Sequence, residues 1–189
     1  MSRVLRSAVI GLGILGTSHS TYLQGSDKAE LVAAAKVRDE AAKEAKDKFG
    51  ITVYNDYRDM LSKEQLDLVV VCTPDPFHRE PVIACAEAGV PYIVTEKPLA
   101  TTVSDGEAML ATCEKARSKL WVHLSNRVNP MDIATRYVIQ EGLIGVPVYA
   151  EARLDDNISV PRRLWGVARS SQISAMCWMP SPFSHTSDT

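Results

Sequence analysis

Lys97 stands at the end of an apolar run, in the order Glu96-Lys97-Pro98, and its ammonium group could do chemistry. A lysine at the rim of a site can donate a hydrogen bond to a substrate hydroxyl and stabilise the alkoxide that develops there. Glu96 could orient such a lysine. The alternative is an ordinary surface lysine before a turn, the commonest place for this residue type. The surroundings of the segment decide between the two.

A second signal is the glycine pattern at residues 11–16, Gly11-Leu12-Gly13-Ile14-Leu15-Gly16. Gly11 permits a tight turn out of a strand, Gly13 lets the backbone approach a pyrophosphate, and Gly16 lets the next helix pack closely. Ile14 and Leu15 open that helix, whose free N–H groups and dipole favour an anion. The pattern alone is weak, and a structural turn is the alternative. Its place between an apolar strand and a helix predicts a dinucleotide site.

Cofactor choice depends on the residues about 20 positions beyond the glycines, where an acid usually holds the ribose 2′-hydroxyl of NAD. Lys36 and Arg38 occupy that region. A carboxylate would repel a 2′-phosphate, whereas these cations would attract it, so the sequence favours NADP. Two alternatives stay open. Asp39, which is also placed to cap a helix, serves the ribose of NAD, or the two cations are a solvated pair.

The elements that must position these residues alternate between strands and helices through residue 125. Strands are predicted at residues 4–10, 31–35, near 53, 66–72, 92–95 and 120–124. Helices are predicted at residues 14–23, 39–49, after 56, at 81–88 and from a capping box at 104–107. Near-continuous apolar strands in such an alternation are typical of an α/β doubly wound parallel sheet, a Rossmann domain. Ligands of such sheets meet the carboxyl ends of the strands.

Three regions are predicted along the chain. Residues 1–125 form the dinucleotide-binding domain. Residues 126–169 are the incomplete start of a second α/β domain, with a helix at 132–141 and a strand at 148–154. Residues 170–189 contain six serines and a single charged residue, Asp188, and an irregular tail is expected.

Composition and charge argue against several classes of binding partner. The formal net charge is −2 without a long run of one sign, which argues against nucleic acid or a membrane surface. No apolar segment is long enough to span a membrane. Four cysteines without disulfide or zinc-ligand spacing indicate a reducing, cytoplasmic setting. No metal site is predicted, because no histidines and acids cluster at ligand spacing. His19 is expected to pack or hydrogen-bond locally, and His123 to be a core or edge residue of a strand.

Four motifs follow one another in the chain: the glycine pattern with His19, residues 70–74 with His78, residues 96–99, and Asn126-Arg127. In this order they resemble the Gfo/Idh/MocA oxidoreductase family, named for glucose-fructose oxidoreductase and inositol dehydrogenase. The combination is far more specific than any one motif, and the resemblance covers roughly residues 5–154.

The resemblance implies a Rossmann domain followed by an α/β domain whose open sheet holds the substrate and often builds the oligomer. It implies hydride transfer between NAD(P) and the hydroxyl carbon of a sugar, polyol or related compound. The site residues that it implies are Thr73, Pro74 and His78 beside the cofactor, Glu96 and Lys97 at the nicotinamide end with Lys97 assisting catalysis, and Asn126 near the cofactor.

The chain also departs from the family. The family's catalytic histidine usually follows an aspartate by four residues, and this chain has no such pair; His185 is preceded by Ser181. The family's second domain is much longer than what remains after Asn126, as a truncated or frameshifted reading frame would produce. A family-type homo-oligomer is therefore doubtful. An NAD(P)-binding module without turnover and an inactive fragment both stay open as alternative functions.

Overall fold

The computed structural model describes residues 3–35, 45–149 and 151. One parallel sheet is built from β1 (Leu5–Ile10), β2 (Ala29–Ala35), β3 (Thr52–Tyr54), β4 (Leu68–Val71), β5 (Tyr92–Glu96) and β6 (Lys119–His123). The strand order is β3-β2-β1-β4-β5-β6, and every pairing is parallel. The chain thus starts in the middle of the sheet, winds to one edge, returns and winds to the other. The predicted doubly wound sheet is confirmed.

Helices connect the strands. They are α1 (Ile14–Gln24), α2 (Tyr57–Lys63), α3 (Arg79–Glu87), α4 (Val103–Ala116) and α5 (Pro130–Gln140), with short 3₁₀ turns at Asp75–Phe77 and Ser125–Val128. Residues 45–49 are also helical. No helix in the described ranges is both long and apolar enough to cross a membrane.

The middle of the sheet is apolar because both of its faces are covered: the last three residues of β1 and all four residues of β4 are apolar. Ala8 and Ile10 of β1 belong to one buried cluster, which Met109 of α4 completes from above the sheet. Val9, between them, belongs to the cluster on the opposite face, together with Phe49. Successive side chains of a strand point to opposite faces, so a strand covered on both sides needs apolar residues at every position.

Three helix starts differ from the predicted ones, those of α3 and α4 and that of α5, which begins at Pro130 rather than at residue 132. α4 begins at Val103, because the N-cap is Thr102, whose hydroxyl accepts a hydrogen bond from the Asp105 N–H at 3.2 Å. The predicted capping box at 104–107 is therefore shifted by two residues. α3 begins at Arg79 rather than Pro81, since a proline in the first turn loses no intrahelical hydrogen bond.

The chain divides into two units between Asn129 and Pro130. The predicted boundary at residues 125/126 stays a prediction. In the second unit α5 covers most of the predicted helix. Residues 148, 149 and 151 are not in a strand, contrary to prediction. The rest of that predicted strand and the predicted tail at 170–189 lie outside the described residues.

Candidate cofactor and active site

The carboxyl ends of the parallel strands bring those predicted site residues that the structure describes to one edge of the sheet. Ile10 of β1 is in register with Val71 of β4, and Glu96 of β5 is in register with His123 of β6. The strand order reverses at β1, which has β2 on one side and β4 on the other. Crevices at such switch points are where open α/β sheets bind ligands.

Two of the three motif glycines are required by the fold itself. Gly11 adopts φ +97°, and a Cβ there would stand 2.6 Å from the Cys72 carbonyl oxygen. A Cβ on Gly16 would stand 1.8 Å from the Gly11 carbonyl oxygen. Real Cβ atoms do not approach backbone so closely, so the turn and the packing of α1 on β1 both depend on glycine.

Gly13 differs from its neighbours. A Cβ there would meet nothing within 4 Å among the described residues. Gly13 is the N-cap of α1, no side chain caps the helix, and Ile14 and Leu15 of its first turn are exposed. No capping side chain occupies this helix start among the described residues, and the dipole of α1 favours an anion there.

The loop after β4 is compact. The Thr73 hydroxyl donates to the Phe77 carbonyl oxygen at 2.9 Å, and the Phe77 N–H donates to the Pro74 carbonyl oxygen at 2.8 Å. Pro74 precedes the 3₁₀ turn and is exposed. These hydrogen bonds within the loop fix its shape. The loop begins beside the glycine turn, because the Cys72 carbonyl group lies next to Gly11.

His78 ties that loop to the one after β5. Its ring is fully buried, with Nε2 at 2.8 Å from the Thr73 carbonyl oxygen and Nδ1 at 2.8 Å from the Pro98 carbonyl oxygen. Carbonyl oxygens only accept, so both contacts are hydrogen bonds when both ring nitrogens carry a proton. Its place beside the cofactor stays a prediction; the geometry gives its enclosed side chain the task of joining two loops.

Glu96 is the most unusual residue at this edge, because it is an acid only 5% exposed. Its Oε1 accepts a hydrogen bond from His19 Nε2 at 2.9 Å and another from His123 Nδ1 at 2.8 Å. Burial would raise the pKa of the Glu96 carboxyl, but these hydrogen bonds and the imidazole charges together hold the pKa below its ordinary value. The carboxylate is thus kept charged inside the protein.

Sequence reasoning missed this cluster, since His19 was expected to pack locally and His123 to be a core or edge residue. The ligand atoms of the three side chains lie within 4.8 Å of one another, which a metal could use. However, two ligands of a tetrahedral zinc stand roughly 3.3 Å apart. The observed 2.9 Å and 2.8 Å are hydrogen-bond distances that end on a single oxygen. The expectation of no metal site stays a prediction.

Lys97 follows Glu96 directly and is half-buried. The Lys97–Pro98 peptide is cis. In the ranges that the structure describes, no hydrogen bond or ion pair engages the Lys97 ammonium group. Cys72, close by, is no rival nucleophile, because burial, aided by the Glu96 charge, raises the pKa of its thiol to about 12.

Three predicted contacts with the nucleotide ribose cannot be placed. β2 ends at Ala35, so Lys36 follows the strand as expected, but Lys36, Arg38 and Asp39 lie outside the described residues. Asn126 lies in the 3₁₀ turn after β6, near the same edge, and is exposed. Their roles toward a cofactor stay predictions.

The chain is similar in sequence and fold to several known proteins. D-apiose dehydrogenase of Paraburkholderia graminis is 39% identical over 145 residues, which are 76% of this chain and 38% of that protein. Myo-inositol 2-dehydrogenase of Thermotoga maritima is 33% identical over 144 residues, covering 76% of this chain and 43% of the relative. The solved WlbA dehydrogenase of Bordetella pertussis, in complex with NADH and UDP-GlcNAcA, is 32% identical with a TM-score of 0.71, over 76% of this chain and 44% of that one.

The chain spans about two fifths of the length of the curated relatives it matches. The profile described as oxidoreductase family, NAD-binding Rossmann fold, matches residues 5–124, from the start of β1 to just past β6. That match covers well over half of the chain. It contains the glycine turn, the two loops that His78 joins, and Glu96 with its two histidine partners. This chain belongs to the Gfo/Idh/MocA oxidoreductase family.

Proposed function

We propose that this chain binds a nicotinamide dinucleotide at the switch-point edge, as the cofactor-binding part of an oxidoreductase that acts on a sugar or polyol hydroxyl. The carrying observation is the contrast among the motif glycines. Backbone atoms occupy the space where a Cβ on Gly11 or Gly16 would lie. The same position on Gly13 is open, at a helix start without a side-chain cap. Protein packing explains the first two; a close-approaching anion explains the third.

The chemistry divides between cofactor and protein. A bound nicotinamide would supply the hydride donor or acceptor. The α1 N–H groups would hold the pyrophosphate, and the Thr73 and Glu96 loops would border the nicotinamide half. Lys97 would donate a hydrogen bond to the substrate hydroxyl and stabilise negative charge on its oxygen. Asn126 would line the same crevice from the end of β6.

The proposed cofactor is NADP, on the strength of Lys36 and Arg38, with NAD as the alternative. The test is a titration of the purified chain with NADPH and NADH, followed by nicotinamide fluorescence. We expect tighter NADPH binding, and loss of that preference in Lys36→Ala/Arg38→Ala. Lys28→Ala is the matched control, because Lys28 precedes β2 at the opposite edge of the sheet. Equal affinity for both nucleotides in the wild type would reject the NADP preference, and no binding of either would reject the function.

Substrate and turnover form a separate question. Two relatives are named for D-apiose and myo-inositol, so these two compounds head the panel to be tried with either nucleotide. Turnover that Lys97→Met abolishes while nucleotide binding remains would support the oxidoreductase role of Lys97.

The alternative function is a nucleotide-binding module without turnover. These 189 residues contain no Asp-x-x-x-His pair, and turnover without a general acid/base is typically about 10²–10⁴ slower. Nucleotide binding with no oxidation of any panel compound would favour this module. Oxidation of any of them by the isolated chain would exclude it.

A further inference from the structure

The three histidines of the described residues all contact the short segment at residues 96–98. His19, His78 and His123 come from α1, the turn before α3, and the end of β6, and each touches Glu96 or Pro98. Those two residues flank Lys97 on either side. The chain has four histidines in all, and the fourth, His185, lies outside the described residues. Separate elements thus converge on the segment that carries one lysine.

On the Glu96 side of Lys97, the histidines hydrogen-bond to the Glu96 side chain. An ionised carboxylate only accepts, so His19 Nε2 and His123 Nδ1 must both donate to Oε1. The two rings stand edge to face with centroids 4.7 Å apart, which leaves each little freedom to turn. Hydrogen bonds that end on a charged group are shorter and stronger than neutral ones. The Glu96 side chain is therefore fixed from two directions.

Stability alone does not explain this arrangement. A buried charged group held by polar partners usually stabilises a fold no better than apolar residues of the same size. The β5 backbone is already paired with β4 as far as Thr95 and with β6 as far as Glu96. What the cluster adds is a fixed link between Glu96 and α1, the helix whose first turn faces the predicted pyrophosphate.

We propose that His19 and His123, acting through Glu96, are positioning residues for Lys97: they set where its ammonium group stands relative to the start of α1. Pro98, on the other side of Lys97, is held by His78. The chain is then held on both sides of Lys97, at Glu96 and at Pro98. The catalytic meaning of this placement rests on the proposed function; the placement itself does not.

The experiment measures Lys97 directly, without turnover. Wild type and variants are treated with a limiting amount of an amine-reactive acetylating reagent. Mass spectrometry then gives the acetylation rate of Lys97 relative to those of the exposed Lys28 and Lys63 in the same molecule. In His19→Leu and His123→Leu we expect the Lys97 ratio to change by roughly threefold or more, the scale of releasing one held torsion of the Glu96 side chain among its three staggered wells. The ratio of Lys28 to Lys63 should not change.

Conservative variants separate positioning from packing. The amide nitrogen of glutamine can stand in for Nε2 in His19→Gln, and that of asparagine for Nδ1 in His123→Asn. Both should restore the wild-type Lys97 ratio. An unchanged ratio in both leucine variants would overturn the proposal, and so would Gln and Asn variants that behave like leucine, since packing alone would then account for the effect.

A second measurement covers the case in which the leucine variants do not fold. Long-range ¹H–¹⁵N spectra of wild type report which ring nitrogens carry protons. We expect a proton on His19 Nε2 and on His123 Nδ1; an unprotonated nitrogen at either position would remove the donor and reject the proposal. Nucleotide titration of the same samples tests the proposed function independently, because neither the acetylation ratio nor the ring spectra require bound cofactor.

Discussion

At the scale of single residues, the site is shaped by how buried polar groups are satisfied. Glu96 stays ionised because two imidazoles donate to one of its oxygens. His78 is enclosed, and both its ring nitrogens meet carbonyl oxygens. Lys97, between these anchors, has no such partner in the described residues and is half-buried. The polar groups around Lys97 have hydrogen-bond partners, whereas its ammonium group has none among the described residues. This pattern is expected where a ligand supplies the missing hydrogen bond.

The lowered pKa of Glu96 predicts how stability changes in acid. A carboxyl whose pKa is lower in the folded protein stabilises fully above its ordinary value of 4.5 and loses that contribution as pH falls through the folded-state pKa. Glu96→Gln cannot titrate. We therefore expect its free energy of unfolding to fall less than that of wild type between about pH 5 and pH 3, measured by urea unfolding at each pH. The exposed Glu114→Gln is the control, and an acid dependence of Glu96→Gln equal to that of wild type would contradict the assignment.

The motif glycines predict opposite outcomes for one substitution. Gly16→Ala forces a Cβ to within 1.8 Å of the Gly11 carbonyl oxygen. We expect it to lower the free energy of unfolding by about 2 kcal/mol or more, since overpacking and backbone strain are among the large destabilising mechanisms. Gly13→Ala places its Cβ in open space, so the change should stay within about 1 kcal/mol, the scale of an N-cap exchange. Nucleotide affinity should nevertheless fall in Gly13→Ala. Denaturant unfolding and nicotinamide fluorescence measure the two effects, and unchanged affinity would argue against a pyrophosphate at Gly13.

At the scale of elements, apolar runs and turn residues were sufficient to predict the doubly wound sheet. β4 and β5 are predictable because strands buried on both faces have apolar residues at nearly every position. Helix ends were harder. Thr102 and Ser104 are both good caps by residue type, and only backbone geometry decides between them: Thr102 is extended, with φ −132° and ψ 154°, and α4 starts directly after it.

The choice of cap for α4 can be measured. Thr102→Ala removes the acceptor for the Asp105 N–H and the donor to the Asp105 carboxylate. We expect it to lower the free energy of unfolding by about 1 kcal/mol. Ser104→Ala lies inside the helix on an exposed face and should change the value by less than about 0.5 kcal/mol. The reverse order in thermal or denaturant unfolding would restore the capping box at residues 104–107.

At the scale of the whole molecule, the histidine cluster shows where prediction from sequence reached its limit. Glu96 lies 77 residues from His19 and 27 from His123 along the chain. No local pattern links them, and His19 looks like one polar residue on a short helix. The strand order supplies the missing information: once β5 and β6 are neighbours in register, Glu96 and His123 must end their strands side by side. The signal was present only in the combination of topology with residue type.

The division of the chain at Asn129 gives a last prediction about the molecule as a whole. Every strand in the described ranges precedes that division, as do the glycine turn, Lys97 and Asn126. In the second unit α5 exposes Ile133 and Tyr137, and the turn after it exposes Leu143 and Ile144. A chain ended after Asn129 should therefore unfold cooperatively, bind nucleotide with the affinity of the full chain, and aggregate less, because exposed apolar groups are removed. Calorimetry, fluorescence titration and light scattering test these points. Weaker nucleotide binding by the shortened chain would mean that residues beyond 129 contribute to the site, which would place part of the cofactor's environment in the second unit.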